Sequence, residues 1–213
     1  MENMRIMENG KNINKHKYGH DHGGIERQKQ GISSFNMQDS KLIFKELGLC
    51  AGDVFLDLGC GAGDYAMVAA KIVGDSGIVY ALDRWEEVAK ALSDKAASQG
   101  FRNIRALQSD IVSKLPLEDK TIDTCLIAQV LHGINSPENT RNLVMEISRV
   151  LKPGGCLAIL EMKKEDFGFG PPMHVRLLPE EVEVILEPYG FKKINVVSFE
   201  YSYLIQLKSG QES

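Results

Sequence analysis

From residue 54 onward the chain alternates short apolar runs with longer stretches of helical spacing. Runs apolar almost throughout occupy residues 54–58, 78–82, 104–107, 124–128 and 156–162, each bounded by Gly, Asp or Pro. A strand exposed on one face alternates apolar with polar residues, so runs without alternation suit parallel strands buried on both faces. Helical stretches fall between them. Residues 65–73 and 85–99 stop at Gly74 and Gly100, and glycine is the common helix terminator because it adopts a left-handed conformation without strain. A helix opening at Ser136-Pro137-Glu138 has a capping hydroxyl, a first-turn proline and an early carboxylate. Lys152-Pro153-Gly154-Gly155 ends it, and a later helix runs from Pro179 to just before Gly190 behind a weak cap, Leu178. The last two strand-like segments, about 193–199 and 201–208, are separated only by Glu200. That gap is too short for a helical crossover, so the two pair antiparallel. The expected fold is α/β: a mostly parallel seven-stranded sheet with helices on both faces, closing on a C-terminal antiparallel hairpin.

Residues 1–38 differ. They are rich in Asn, Lys, His, Gly and Met and lack strand or helix periodicity until about Ile32, which reads as a mobile N-terminal arm. The domain proper is expected over 39–213, starting with a helix at about 39–47 whose apolar stripe is Leu42, Ile43 and Leu47.

A length of 213 residues suits one such domain, and 43% hydrophobic with 25% charged residues is ordinary globular composition. The formal net charge of −4 argues against a protein built to bind nucleic acid, which needs a broad basic face. No apolar stretch reaches the length of a membrane span and the N-terminus has no signal-like core, so a soluble, cytoplasmic protein is expected. Cys50, Cys60, Cys125 and Cys156 are scattered without CxxC spacing, and reduced, mostly buried thiols are their favoured reading.

The chemistry concentrates at Asp57-Leu58-Gly59-Cys60-Gly61-Ala62-Gly63, where a buried strand enters a glycine-rich turn and a helix follows. Glycines allow a tight turn and a close backbone approach to a ligand. The spacing is GxGxG, whereas dinucleotide sites use GxGxxG. Asp83 closes the second strand 26 residues after Asp57, where a carboxylate can accept from both ribose hydroxyls of a nucleoside. Asp110, after the third strand, can meet an adenine amino group. Asp57 itself suits a ligand carrying ammonium and sulfonium charges and would repel a pyrophosphate, which favours S-adenosylmethionine (SAM) over NAD.

These residues resemble the class I SAM-dependent methyltransferases, most closely the UbiE-like small-molecule group. Asp57 through Gly63 match the first motif, Asp83 the ribose acid, and Ser109-Asp110-Ile111 the adenine-side motif. Leu115-Pro116-Leu117 through Ile122-Asp123-Thr124 resemble the approach to the fourth strand, and Leu151 through Gly155 the turn before the fifth. The resemblance covers about residues 39–208 and implies a Rossmann-like fold with SAM as cofactor and S-adenosylhomocysteine as product. It places Gly59 and Gly61 against the methionine portion, with Asp57 and Cys60 also among the cofactor-binding residues, Asp83 on the ribose, Arg84 or Trp85 beside the adenine, Ile111 as an adenine wall and Gln129 near the cofactor's amino group or ribose. For Trp85, packing on the core is an equal reading.

For the acceptor the signal is thinner. Methyl transfer needs proximity and alignment, and a general base only where the acceptor must lose a proton. His132, beyond the fourth strand, and Glu161, near the end of the fifth, are candidate catalytic groups, and each has a plain packing role as its rival reading. His16, His20 and His22 in the arm, with Tyr18 and Asp21, could grip a metal or form a polar lid that folds over the cofactor, with a histidine-rich tail as the rival reading, and no metal is assigned. Aromatic residues of the loop Phe167-Gly168-Phe169-Gly170-Pro171-Pro172-Met173-His174 either wall an apolar pocket or pack on the domain edge. No Asn/Asp-Pro-Pro-aromatic motif follows the fourth strand, which disfavours amino-nitrogen methylation by that route, and the absence of a cysteine cluster weakens an arsenic-methylating reading. The expected partner is a small-molecule acceptor, with no nucleic acid and no membrane span; protein or RNA methylation, or SAM sensing without transfer, are the alternatives. Oligomeric state leaves no signature in the chain.

Overall fold

The structure, a computed structural model, describes residues 34–37, 39–134 and 136–210. Seven strands are present: β1 (Val54–Leu58), β2 (Ile78–Asp83), β3 (Ile104–Gln108), β4 (Ile122–Ala128), β5 (Leu151–Met162), β6 (Phe191–Ser198) and β7 (Ser202–Ser209). They form one sheet in the order β3-β2-β1-β4-β5-β7-β6, with β1 to β5 parallel and β7 antiparallel to both neighbours. The hairpin expected at the C-terminus is therefore there, with Phe199 N–H donating to Ser202 O at 2.8 Å across its turn.

Five helices cover the sheet: α1 (Ser40–Leu47), α2 (Asp64–Val73), α3 (Glu86–Ser98), α4 (Pro137–Val150) and α5 (Pro179–Leu186). Alternate strand residues feed two separate cores, because successive side chains leave opposite faces of a sheet. Phe55, Val79, Ala81, Leu126, Ala158, Leu160 and Leu204 pack with Ile43, Phe44 and Leu47 of α1, the apolar face of α2, and Leu92 and Ala96 of α3. Leu56, Leu58, Leu82, Cys125, Ile127, Leu157, Ile159 and Ile205 pack with Leu143, Val144, Ile147 and Val150 of α4 and Val182 and Leu186 of α5. This is why the central runs show no polar alternation. The two edge strands do carry charge toward solvent, Arg105 on β3 and Lys192 and Lys193 on β6, which discourages edge-to-edge pairing.

Helix starts follow their caps. Asp39 accepts from Leu42 N–H at 3.1 Å, and Ser136 Oγ accepts from Asn139 N–H at 3.1 Å. At α5, Leu178 cannot cap, and Glu181 instead reaches back to accept from Leu178 N–H at 2.7 Å. One boundary departs from expectation. The helix α4 ends at Val150, and Lys152 through Gly155 form no separate turn but an excursion inside β5: pairing with β4 jumps from Ile122↔Leu151 to Thr124↔Cys156. Lys152 Nζ holds the excursion against Asp123, whose Oδ2 also accepts from Val54 N–H at 2.9 Å.

Of the first 38 residues, Ser34–Met37 form a short 3₁₀ turn, and the Phe35 ring meets Tyr65 of α2 edge-on at 5.2 Å. The histidine-rich stretch with His16, His20 and His22 lies outside the described residues. No helix among the described residues is long and apolar enough to cross a membrane.

Candidate active site

The carboxyl ends of β1, β2, β4 and β5 converge on one edge of the sheet, where open α/β folds bind ligands. The glycine turn after β1 is bonded to β2: Gly59 N–H and Cys60 N–H both donate to Leu82 O, at 2.8 and 3.0 Å. Gly59, Gly61 and Gly63 all hold positive φ, at 76°, 49° and 74°. Their surroundings differ. A Cβ on Gly59 would sit 2.7 Å from Val130 Cγ2, and one on Gly63 would run into the Leu92 isobutyl group of α3. A Cβ on Gly61 would meet nothing within 4 Å, so this glycine faces open space, as a ligand cradle requires.

Three carboxylates surround the turn. Asp83 has both oxygens engaged, Oδ2 accepting from Gly61 N–H at 3.0 Å and Oδ1 from Trp85 N–H at 3.1 Å. It is thereby locked in one orientation with lone pairs left for ribose hydroxyls. Asp64, first residue of α2, pairs with Lys95 at 3.1 Å. Asp57 is 1% exposed, and its Oδ2 is buried with no hydrogen-bond partner among the described residues. Burial raises its pKa from 3.8 to about 7, with Asp83 and Asp64 adding to the rise and the Ala66 backbone N–H opposing it.

The turn after β3 is built beside Asp83, whose carbonyl accepts from Ser109 N–H at 2.8 Å. Asp110 is exposed and its Oδ1 accepts from Val112 N–H, folding the turn that carries Ile111 into the core. Trp85 stands 40% exposed at the start of α3 with the Arg84 guanidinium 5.0 Å from its ring centroid. Cys60 is buried and packs in the core with the apolar face of α2.

The other half lies past β4. Gln129 takes φ +58°, a left-handed conformation that costs a non-glycine residue energy and tends to collect at functional sites. Its N–H donates to Leu160 O at 2.8 Å. A 3₁₀ turn, Leu131–Gly133, then carries His132. The structure brings the two catalytic candidates together: His132 Nδ1 lies 2.7 Å from Glu161 Oε2, and His132 N–H donates to Glu161 Oε1 at 3.2 Å. The glutamate side chain is 1% exposed and the histidine 17%, so the acid is sealed and the imidazole keeps some access to solvent. The Gly59–Val130 contact joins this half to the glycine turn.

Sequence reasoning missed a second organiser. Arg176, 4% exposed, donates to the carbonyls of Pro171 and Phe169 at 2.7 Å each, of Lys163 at 3.1 Å and of Glu165. It gathers the loop that follows β5, on which Phe167 and Phe169 cluster with Tyr201 at centroid distances of 5.2–6.0 Å. His174 is exposed on the same loop.

A family model described as a methyltransferase domain matches residues 49–184, which span the glycine turn, Asp83 and the His132–Glu161 pair. The chain belongs to the class I SAM-dependent methyltransferases. A SAM-dependent methyltransferase from Aquifex aeolicus superposes with a TM-score of 0.77 at 32% identity, over 90% of this chain and 100% of that one. Demethylmenaquinone methyltransferases are similar over 121 residues: 36% identical in Lactobacillus johnsonii and 32% in Staphylococcus aureus, in each case 57% of this chain and 48% of the relative. The chain thus spans about half the length of the curated relatives it matches. SAM is the family's cofactor, and this methyltransferase's residues fit it: an open cradle at Gly61, a carboxylate at Asp83 oriented by two backbone N–H groups, and a buried carboxylate at Asp57 with one oxygen unpartnered among the described residues.

Proposed function

We propose that the chain transfers the methyl group of SAM to a small-molecule acceptor that must lose a proton, with His132 as general base and Glu161 as its orienting partner. The His132–Glu161 contact carries this reading. Bound SAM supplies a methyl group on a sulfonium that departs as a neutral thioether. Asp83 would hold the ribose, Asp57, Gly59 and Gly61 the methionine end, and Ile111, Asp110, Trp85 or Arg84 the adenine; Gln129 would complete the cofactor's edge.

The dyad follows from elementary acid–base chemistry. Ionised Glu161 only accepts, so Nδ1 of a neutral imidazole must carry its proton toward it, and Nε2 keeps a lone pair. Both carboxylate oxygens are engaged by one residue, through its ring and its backbone N–H, which fixes the ring plane as well as the tautomer. Nε2 then takes the acceptor's proton as the nucleophile attacks in line, and Glu161 stabilises the imidazolium. The aromatic cluster of Phe167, Phe169 and Tyr201 stands at the same edge, because β5 ends where Met162 pairs with Ser202, and it supports an apolar, ring-bearing acceptor. The curated relatives are named for demethylmenaquinone, whose reduced ring bears ionisable hydroxyls, and that quinol is the first acceptor to offer.

With methyl-labelled SAM and the reduced acceptor, His132→Ala is expected to lower kcat by roughly 10²–10⁴, the usual contribution of a general base, with SAM affinity retained. Glu161→Gln is expected to lower kcat by a smaller factor and to shift the pH profile. Unchanged turnover in His132→Ala removes the base from the mechanism.

A further inference from the structure

Of the three carboxylates around the glycine turn, Asp57 is the one the protein compensates least. Asp83 accepts two backbone N–H bonds and Asp64 has Lys95. Asp57 lies on β1 directly before that turn, 1% exposed, with Oδ2 unpartnered among the described residues. The groups facing it are few: the Ala66 N–H and Asp64 from α2, Asp83 from β2, and the thiols of Cys60 in the turn and Cys125 on β4. Burial pushes both thiols well above the usual cysteine range, so they are neutral, and none of these groups is a cation. A charge in this setting calls for a positive charge from outside, and the open side of Gly61 is where one can arrive.

We propose that Asp57 discriminates SAM from its product by changing protonation state: it releases a proton when SAM binds and keeps it, in larger part, with S-adenosylhomocysteine. The two ligands share the same amino acid and nucleoside ends. They differ by one methyl group and one positive charge at sulfur. Asp57 in the folded protein is poised near neutrality, its pKa raised to about 7, so a nearby cation tips it to the ionised form and the proton passes to solvent. Once the methyl has gone to the acceptor, the sulfonium charge has gone with it, and Asp57 takes a proton back from solvent. The carboxylate then ceases to hold the ligand, which favours product release. The proposal rests on SAM being the methyl donor, and on nothing about the acceptor.

Isothermal titration calorimetry of the full chain with SAM and with S-adenosylhomocysteine, in buffers of different ionisation enthalpy, counts the protons directly. Near pH 7, SAM binding to wild type is expected to release about half a proton more than binding of S-adenosylhomocysteine. The α-amino group is more acidic in SAM than in S-adenosylhomocysteine because of the sulfonium, so its titration is measured on each free ligand and subtracted before the two are compared. The ratio of SAM to S-adenosylhomocysteine affinity is expected to rise several-fold between pH 6 and 8, and to stay flat in Asp57→Asn. Equal proton release for the two ligands in wild type, or a pH-independent affinity ratio, overturns the proposal while leaving the cofactor reading standing. An absence of SAM binding overturns both. The wild-type comparison stands even if the Asn variant fails to fold.

Discussion

Gly61 and Gly63 are two residues apart in one turn, both at positive φ, yet their substitution by alanine is expected to damage different properties. At either site an L-residue in the left-handed region costs about 1–2 kcal/mol. At Gly61 nothing lies within 4 Å of the new methyl, so that strain is the whole folding cost. At Gly63 the methyl collides with the Leu92 isobutyl group, a buried side chain of α3 at 2% exposure, and overpacking adds about 1–3 kcal/mol. Gly63→Ala should therefore lose about 2–5 kcal/mol, and Gly61→Ala about 1–2. Urea unfolding of each variant reads these values. Equilibrium binding reads the other half: Gly61→Ala is expected to weaken SAM binding by at least tenfold, because its methyl occupies the cradle. Leu92→Ala combined with Gly63→Ala should recover part of the collision term, so the double variant costs less than the two single costs added. Equal destabilisation at the two glycines, or wild-type SAM affinity in Gly61→Ala, would refute the division into a cofactor glycine and a packing glycine.

Two other outcomes are specific. Asp57 has a folded pKa of about 7 against 3.8 for an ordinary aspartate, so the apo protein holds that proton where the unfolded chain has lost it. Its contribution to stability is full below about pH 4 and is lost as pH rises to about 7, and at pH 8 the buried charge costs on the order of a few kcal/mol. Asp57→Asn should raise the apo melting temperature at pH 8, change it little near pH 4, and flatten the profile between; a parallel profile in variant and wild type would contradict this. Arg176→Ala strands the carbonyls of Lys163, Glu165, Phe169 and Pro171 and should cost about 2–4 kcal/mol, with earlier proteolytic cleavage in the loop after β5 and unchanged SAM affinity. Wild-type protease resistance would show that the guanidinium does not hold that loop.

What could be read from the chain was whatever local spacing controls. β1 falls on its apolar run to the residue, and β2 within one residue, because burial on both faces leaves no polar alternation to blur the ends. The glycine turn and the hairpin were equally legible, each resting on residues adjacent in sequence, and Asp83 followed from its place at the end of an apolar run. The start of β5 was not, since Pro153 and the glycines after it normally end a strand and here loop out of the ladder with Lys152 anchored on Asp123. His132 and Glu161 were each visible as candidates, but their contact spans 29 residues and depends on β4 and β5 being neighbours. Arg176 escaped for a different reason. Its partners are main-chain carbonyls, which every residue carries, so no side-chain pattern announces them.

The most direct test of the central claim follows the methyl group. The purified chain is incubated with methyl-labelled SAM and an extract of its source cells, and small-molecule, protein and nucleic-acid fractions are separated. Label is expected in the small-molecule fraction, reduced at least a hundredfold in rate by His132→Ala. Label in protein or RNA, or SAM bound without transfer to any fraction, would contradict the account.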